Sequence, residues 1–148
     1  MNKLLTKALG ALILVLVVTG PTASGQVIET SVEATIPFRF YAGDTWLPAG
    51  KYTITSPESD ELNVLLLRNS NDTVEVFLLT NAARRDTAAN EASLDFDRLG
   101  KKEFLSTIWL EGQRTGYQLE EPRLEKKLEK ASMKKEKHSL KAVHHAKS

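Results

Sequence analysis

Residues 32–41, with the sequence VEATIPFRFY, decide the fold class of this chain. Apolar and polar side chains alternate along the segment, so an extended backbone would have one apolar face and one polar face. Pro37 has no amide hydrogen to donate to a neighbouring strand, so the segment either lies at a sheet edge or bends there. The pattern predicts a β-strand with one face in a hydrophobic core.

The segments that follow repeat this pattern. Residues 47–50, LPAG, form a turn signal, because proline presets the second turn position and glycine suits the fourth. Residues 62–68 and 73–80 are two apolar runs joined by the polar residues 69–72, which predicts a hairpin. Both runs are apolar on both faces, so we expect this hairpin to lie centrally, with one face covered by another layer. Further strand patterns begin at residues 51, 94 and 103.

The pattern changes at Pro122, a residue that fits the first turn of a helix. Leu124, Leu128 and Ala131 then share one narrow apolar stripe between a row of glutamates and a row of lysines. This predicts an amphipathic helix over residues 121–135. Residues 136–148 have little to bury, which predicts a basic, disordered tail.

Together these patterns predict a mainly β protein with one small sandwich or barrel of about seven strands and a C-terminal amphipathic α-helix. The expected divisions are a signal peptide at 1–25, a β-sandwich or barrel domain at 26–120, the helix at 121–135 and the tail at 136–148.

The first 25 residues have the three parts of an export signal in order. Two lysines precede the unbroken apolar run 8–18, and small residues with helix breakers fill 19–25. We expect cleavage between Gly25 and Gln26 after transport by the general secretory pathway, which places the mature protein in the periplasm or outside the cell. The apolar run is shorter than the roughly 20 residues that span a bilayer, so no membrane span is expected in the mature form.

Composition excludes several chemistries. The chain has no cysteine, which removes thiol nucleophiles, cysteine–zinc sites and disulfides. Residues 26–120 carry nine Lys/Arg and fifteen Asp/Glu, whereas residues 121–148 carry nine Lys/Arg and four Glu. The basic C-terminal segment could lie on its own acidic body, on an anionic envelope surface or on nucleic acid. No glycine-rich phosphate loop is present, and the basic segment lacks interleaved aromatic residues, so neither nucleotide nor nucleic acid is expected.

The order of several short motifs resembles a group of small secreted bacterial β-rich proteins. The motifs are IPFRF at 36–40, LPAGKY at 47–52, LLLRN at 65–69, FLLT at 77–80, FDRLG at 96–100 and FLSTIW at 104–109. The resemblance covers roughly residues 29–131 and implies export and a single β-rich domain. It implies no activity, and therefore no functional residues.

Few residues suggest catalysis or metal binding. His138, His144 and His145 all lie in the C-terminal segment, so a catalytic triad or a two-histidine metal site would need that segment. Asp95 and Asp97 project from one face of a strand at a separation of about 6.5–7 Å, which is of the order used by glycoside hydrolases. Because Leu94 and Phe96 alternate with them and are apolar, we interpret the two aspartates as the solvated side of the strand.

Three other features have both a functional and a structural interpretation. Arg84 and Arg85 lie in the long polar stretch 81–92 and could grip an anion, but we interpret them as an exposed pair. Residues 71–73, NDT, match a glycosylation acceptor but are better interpreted as a turn. Five aromatic residues could form a sugar-stacking platform, although aromatics in strands usually belong to the core. They are Tyr41, Trp46, Tyr52, Trp109 and Tyr117.

The sequence therefore assigns no catalytic, cofactor or metal residue, and three functional hypotheses remain. The first is a non-enzymatic binding or structural β-domain at the cell envelope or outside the cell, with the 81–92 loop and the basic C-terminal segment as working surfaces. The second is a carboxylate-dependent hydrolase. The third is an envelope-associating protein that uses its Lys-rich C-terminal segment.

Overall fold

A computed structural model describes residues 30–56, 63–131 and 133–146. Within these ranges the chain forms eleven β-strands and one α-helix. The predicted signal peptide and its cleavage site lie outside the described residues.

The strands run in chain order from the first described residue to the last. They are β1 (Thr30–Ile36), β2 (Phe40–Ala42), β3 (Thr45–Leu47), β4 (Gly50–Thr55), β5 (Val64–Asn69), β6 (Glu75–Arg84), β7 (Ser93–Leu99), β8 (Lys102–Trp109), β9 (Thr115–Leu119), β10 (Lys135–Lys141) and β11 (Val143–Ala146). The helix α1 (Arg123–Lys130) lies between β9 and β10. The four strands beyond the expected seven are the short β2 and β3 and the C-terminal β10 and β11.

The sheet follows the order β10-β7-β8-β9-β6-β5-β4-β1-β11, and the β2–β3 hairpin adds to β8. The long strand β6 joins the two halves, because its first part pairs with β5 and its second part, Thr80 to Arg84, pairs with β9. The path does not close on itself. The mainly β prediction is therefore confirmed, with the architecture of a sandwich and not of a barrel.

The opening segment behaves as its alternation predicts. Val32, Ala34 and Ile36 are buried and belong to the core. β1 ends at Ile36, and β2 starts at Phe40, so the chain breaks its strand around Pro37 and changes partner. β1 pairs with β4 and β11, whereas β2 pairs with β3 and β8. The bend at this proline thus carries the chain from one half of the sandwich to the other.

The two inner faces meet in a core of aliphatic and aromatic side chains. Phe40 contacts Tyr52 and Phe96 edge-on, with ring centroids 5.2 and 5.8 Å apart. The Tyr52 hydroxyl donates a hydrogen bond to the Pro48 carbonyl oxygen at 2.7 Å. A buried phenol needs such a partner, and this bond fixes the turn at residues 47–50 against the core.

The predicted hairpin is β5–β6. Its turn is closed by Asn69, whose side-chain oxygen accepts hydrogen bonds from the backbone amides of Thr73 and Val74. Leu65 and Leu67 are buried, as the apolar run predicts. One face of the hairpin is therefore covered by the core, as expected, whereas on the other face Phe77 is 63% exposed and Leu79 is 60% exposed.

The predicted loop 81–92 is also shorter than expected. Residues 81–84 continue β6 and pair with β9, so only residues 85–92 lie outside a strand. Ala89 and Ala92 are buried, and the backbone of Ala89 forms hydrogen bonds with Gln113 and Gly112. Pairing with β9 overrides the weak strand preference of Asn81 and the alanines that follow it.

The expected disordered tail is wrong, and the helix is shorter than the predicted 121–135. β10 pairs along its whole length with β7, and β11 pairs with β1. These two strands therefore cover one edge of each half of the sandwich. Unpaired edges need such cover, and lysine-rich strands are common at edges because they discourage further pairing.

The helix α1 starts at Arg123, whose backbone amide donates to the Asp44 carboxylate at 3.2 Å. Pro122, the residue before it, offers no side-chain cap, so a residue of the β2–β3 turn satisfies this amide. Among the described residues, no helix has the length and apolar character needed to cross a membrane.

Candidate functional site: charges sorted across the helix

The most distinctive charge arrangement of the described chain centres on Lys135, the first residue of β10. Its ammonium lies 2.9 Å from Glu125 Oε1, 3.3 Å from Glu121 Oε1 and 3.7 Å from Asp97 Oδ2, and it also contacts Glu129. Glu125 and Glu129 are one helical turn apart and so share a face. A single lysine thus binds the acidic side of α1 and the buried Asp97 of β7.

Glu125 is the buried centre of this group, with 3% of its surface exposed. Burial disfavours the charged carboxylate and raises the pKa of Glu125 to about 7, although Lys135 opposes the shift. Partial burial lowers the pKa of Lys135, but the carboxylates of Glu129, Glu125 and Glu121 outweigh it and hold that pKa above its ordinary value. The hydrogen bond from Lys135 lowers the pKa of the exposed Glu129.

The oxygens of the three glutamates lie within 4.8 Å of one another, which is a spacing that could hold a metal ion. The Lys135 ammonium contacts all three, so a lysine and a divalent cation would compete for the same oxygens. We therefore interpret the lysine as the built-in counter-ion of the three glutamates.

The cations of α1 point the other way. Four of its basic side chains are exposed and have no carboxylate partner among the described residues. They are Arg123, Lys126, Lys127 and Lys130, here called the cationic face. Lys134, which follows the helix, is 86% exposed and has only a distant ion pair with Glu136 at 3.7 Å. The helix therefore turns its negative charge inward and its positive charge outward.

This arrangement differs from the one that the sequence predicts. The apolar stripe is only partly used, since Leu124 and Leu128 are half-buried and Ala131 is exposed, whereas Glu125 is buried. The apolar stripe of α1 does not predict that Glu125 is buried, because the cation that stabilises its carboxylate, Lys135, lies in the next element of the chain.

The predicted solvated pair, Asp95 and Asp97, is instead covered by β10. Asp95 accepts hydrogen bonds from the Trp109 indole at 2.8 Å and from the Ser139 hydroxyl. Asp97 is 6% exposed and faces Lys135. The solvated interpretation is wrong because the C-terminal segment, expected to be disordered, lies against this strand.

The three histidines do not meet at one site. His138 Nε2 lies 2.5 Å from Glu103 Oε2, and its ring stacks on Phe96. His145 lies on β11, 4.0 Å from Glu33, and its neighbour His144 points to the opposite face of that strand. Glu103, which the sequence analysis does not single out, is 7% exposed and also receives a hydrogen bond from Arg98. The contacts of His138 and Glu103 are those of a buried structural pair.

The remaining candidates have ordinary structural contacts. Arg84 is exposed as expected, but Arg85 is half-buried, with its guanidinium 3.7 Å from the centroid of the Trp109 ring. Asp72 adopts a positive φ of 52° and Thr73 donates to the Asn71 side chain, which confirms the turn at residues 71–73.

The five aromatic residues do not form one platform. Tyr52 and Trp109 are buried, and Tyr117 packs against the core. Tyr41 stacks on Phe104 with ring centroids 5.1 Å apart, and of the five only Trp46, at 48% exposure, is exposed.

Comparisons with protein-family models, with curated proteins and with solved structures gave no match.

Proposed function

We propose that this chain is an exported, non-enzymatic β-sandwich protein that binds an anionic surface of the cell envelope through the cationic face of α1. The observation that carries the proposal is the separation of charge across that helix. Lys135 binds the glutamates of α1 on the inner side, so they do not neutralise Arg123, Lys126, Lys127 and Lys130 on the outer side.

The separation of charge leaves four cations that can attract an anionic surface. Cations near an anionic lipid surface each contribute about 1 kcal/mol of attraction, and this falls off within a Debye length. Four exposed cations on one short helix are thus enough for reversible adsorption. The acidic character of the β body favours an orientation in which α1 faces the surface.

The contacts of the carboxylates weigh against the alternative of a carboxylate-dependent hydrolase. Asp95 is bound by Trp109 and Ser139, and Asp97 faces Lys135. Such partners stabilise a fold and leave neither group free to act on a substrate. The export part of the proposal is supported by the leader pattern of residues 1–25.

Co-sedimentation with vesicles tests the binding proposal. We expect the mature protein to sediment with vesicles that contain phosphatidylglycerol and not with pure phosphatidylcholine vesicles. Binding should weaken strongly as salt rises from about 0.05 to about 0.5 M, because charges are then screened over a few ångströms. Equal binding to both vesicle types would contradict the proposal.

Mass spectrometry of the protein recovered from its native host tests export separately. We expect a mature N-terminus at Gln26, generated by removal of the leader. An intact Met1 on the folded, accumulated protein would contradict export. The vesicle experiment tests binding to an anionic surface independently of that result.

A further inference from the structure

Two large apolar side chains of β6 project into solvent at the centre of the sheet path. Phe77 and Leu79 are 63% and 60% exposed. They are two residues apart and so lie on the same face of the strand. In the β5–β6 register Phe77 lies opposite Leu66, and Leu79 lies opposite Val64. Phe77, Leu79 and the half-buried Val64 form an apolar patch on the outer face of the sheet, and Leu66 on the same face is buried.

This apolar patch continues into the cationic face. Phe77 and Leu79 line a groove of about 390 Å³ together with Arg123 and Lys126, the two members of the cationic face nearest the helix start. One groove therefore has apolar side chains on the sheet side and cations on the helix side.

Three carboxylates also line the groove, and two of them have partners. Asp44 accepts the backbone amide of Arg123 at 3.2 Å, and Glu121 contacts Lys135 at 3.3 Å. Glu120 alone among these three has no side-chain partner among the described residues. The two side-chain cations of the groove are therefore opposed mainly by one free carboxylate.

A surface that joins apolar side chains to cations matches the interface of an anionic bilayer, where headgroup charge lies directly above hydrocarbon. The patch has only two strongly exposed side chains, whereas a stable protein interface uses roughly 20 to 30 residues on each partner. Charge alone would give only salt-sensitive adsorption, whereas burial of apolar side chains persists when salt screens the charges.

We infer that Phe77 and Leu79 insert into the hydrocarbon boundary of an anionic bilayer while Arg123 and Lys126 remain at the headgroup level. This inference rests on the proposed function and adds a salt-resistant component to it. It also gives the protein a defined orientation on the surface, with β6 and the start of α1 toward the lipid.

A matched pair of variants tests the inference. Phe77→Ser combined with Leu79→Ser removes the insertion, and Val143→Ser serves as the control, because Val143 is 57% exposed and lies on β11, at one end of the sheet path. At about 0.5 M salt we expect the double variant to bind phosphatidylglycerol vesicles at least about tenfold more weakly than the control variant. At low salt both should still bind.

The outcomes separate this inference from the proposed function. If the unmodified protein fails to bind anionic vesicles at low salt, the proposed function fails. If it binds at low salt but the double variant and the control are equally affected by salt, only the insertion is overturned. Circular dichroism spectra of both variants should match that of the unmodified protein, since all three side chains are exposed.

Fluorescence gives an independent test that does not depend on affinity. A Phe77→Trp substitution, made in a Trp46→Phe background, places a reporter at the patch while the buried Trp109 supplies a constant signal. Vesicles with brominated acyl chains should quench the reporter. An unquenched reporter on bound protein would overturn the insertion, as would a concentration-dependent dimer that the Phe77→Ser/Leu79→Ser variant abolishes, because a second copy would then cover the patch.

Discussion

The Lys135 ammonium lies 2.9 Å from Oε1 of Glu125, the most buried carboxylate of the described chain. This contact joins the first residue of β10 to the inner side of α1. It therefore holds the C-terminal strands to the body and, through the same helix, fixes the orientation of the cationic face.

Removing this lysine should destabilise the fold. Lys135→Met leaves Glu125 and Asp97 buried without their cation, and the loss of one partner from a buried ion pair costs about 3 kcal/mol. Denaturant unfolding of Lys135→Met and Lys137→Met measures the effect. Lys137 is 78% exposed and 3.9 Å from Asp97, so its loss should cost less than about 1 kcal/mol. Equal losses for the two variants would contradict the central role of Lys135.

Ionisation of Glu125 should lower the stability of the fold, which is the opposite of the usual effect of a carboxylate. Its pKa is about 7 in the folded state and near the ordinary 4.5 in the unfolded state. Between these values the folded chain holds a proton that the unfolded chain has released, so this group lowers the stability as pH rises from 4.5 to 7.

Comparison with Glu125→Gln isolates this effect. The free energy of unfolding of the unmodified protein, minus that of the variant, should fall by on the order of 2 to 3 kcal/mol between pH 4.5 and pH 8. Lys135 stays charged throughout this range because its pKa is raised. A difference that is constant with pH, or that rises, would contradict the burial of an ionisable carboxylate at this position.

The C-terminal strands should be necessary for a stable sandwich. Truncation after Ala131 removes β10 and β11 and leaves β7 and β1 as unpaired edges. We expect a large drop in melting temperature and concentration-dependent association, because open edges pair with one another. Truncation after Ala146 is the control and should have little effect. A cooperative melt at an unchanged temperature after the longer truncation would show that the body does not need these strands.

Gly116 should tolerate no side chain. A Cβ there would lie 2.5 Å from the Ile108 carbonyl oxygen and 2.6 Å from the Trp109 ring, so Gly116→Ala should cost about 2 kcal/mol or more through overpacking. At Gly50 a Cβ would meet only Tyr52, at an ordinary 3.6 Å, and Gly50→Ala should be nearly neutral. Thermal unfolding of the two variants measures the difference in stability. An equally mild effect of Gly116→Ala would contradict the close approach of β9 to Trp109.

The β fold could be predicted from the sequence because alternation is a local signal. Val32, Ala34 and Ile36 all face the core, and the strand ends just before Pro37, which has no amide hydrogen to donate to a neighbouring strand. The hairpin at residues 69–73 follows equally from its polar turn residues. The exposure of Phe77 and Leu79 could not be predicted, because a local pattern does not show which face of a strand another layer covers.

The candidate site could not be predicted in the same way, because it depends on contacts between distant elements. In β10 the lysines 135, 137 and 141 dominate the composition and obscure an alternation in which His138 and Leu140 share the inward face. That alternation is a signal that could have indicated a strand. No local sequence pattern indicates that Glu125 is buried, because its buried carboxylate is stabilised by Lys135, which lies in another element.

Two matched charge variants show whether binding to anionic vesicles follows the cationic face or the net charge. Lys126→Gln/Lys130→Gln removes two positive charges from the cationic face, and Arg84→Gln/Arg114→Gln removes two from the end of the β6–β9 ladder farthest from α1. At low salt the first variant should bind phosphatidylglycerol vesicles about tenfold or more weakly than the unmodified protein, and the second should bind almost as well as the unmodified protein. Equal weakening in both variants would contradict the account, because binding would then follow net charge and not the face that Lys135 and the glutamates of α1 create.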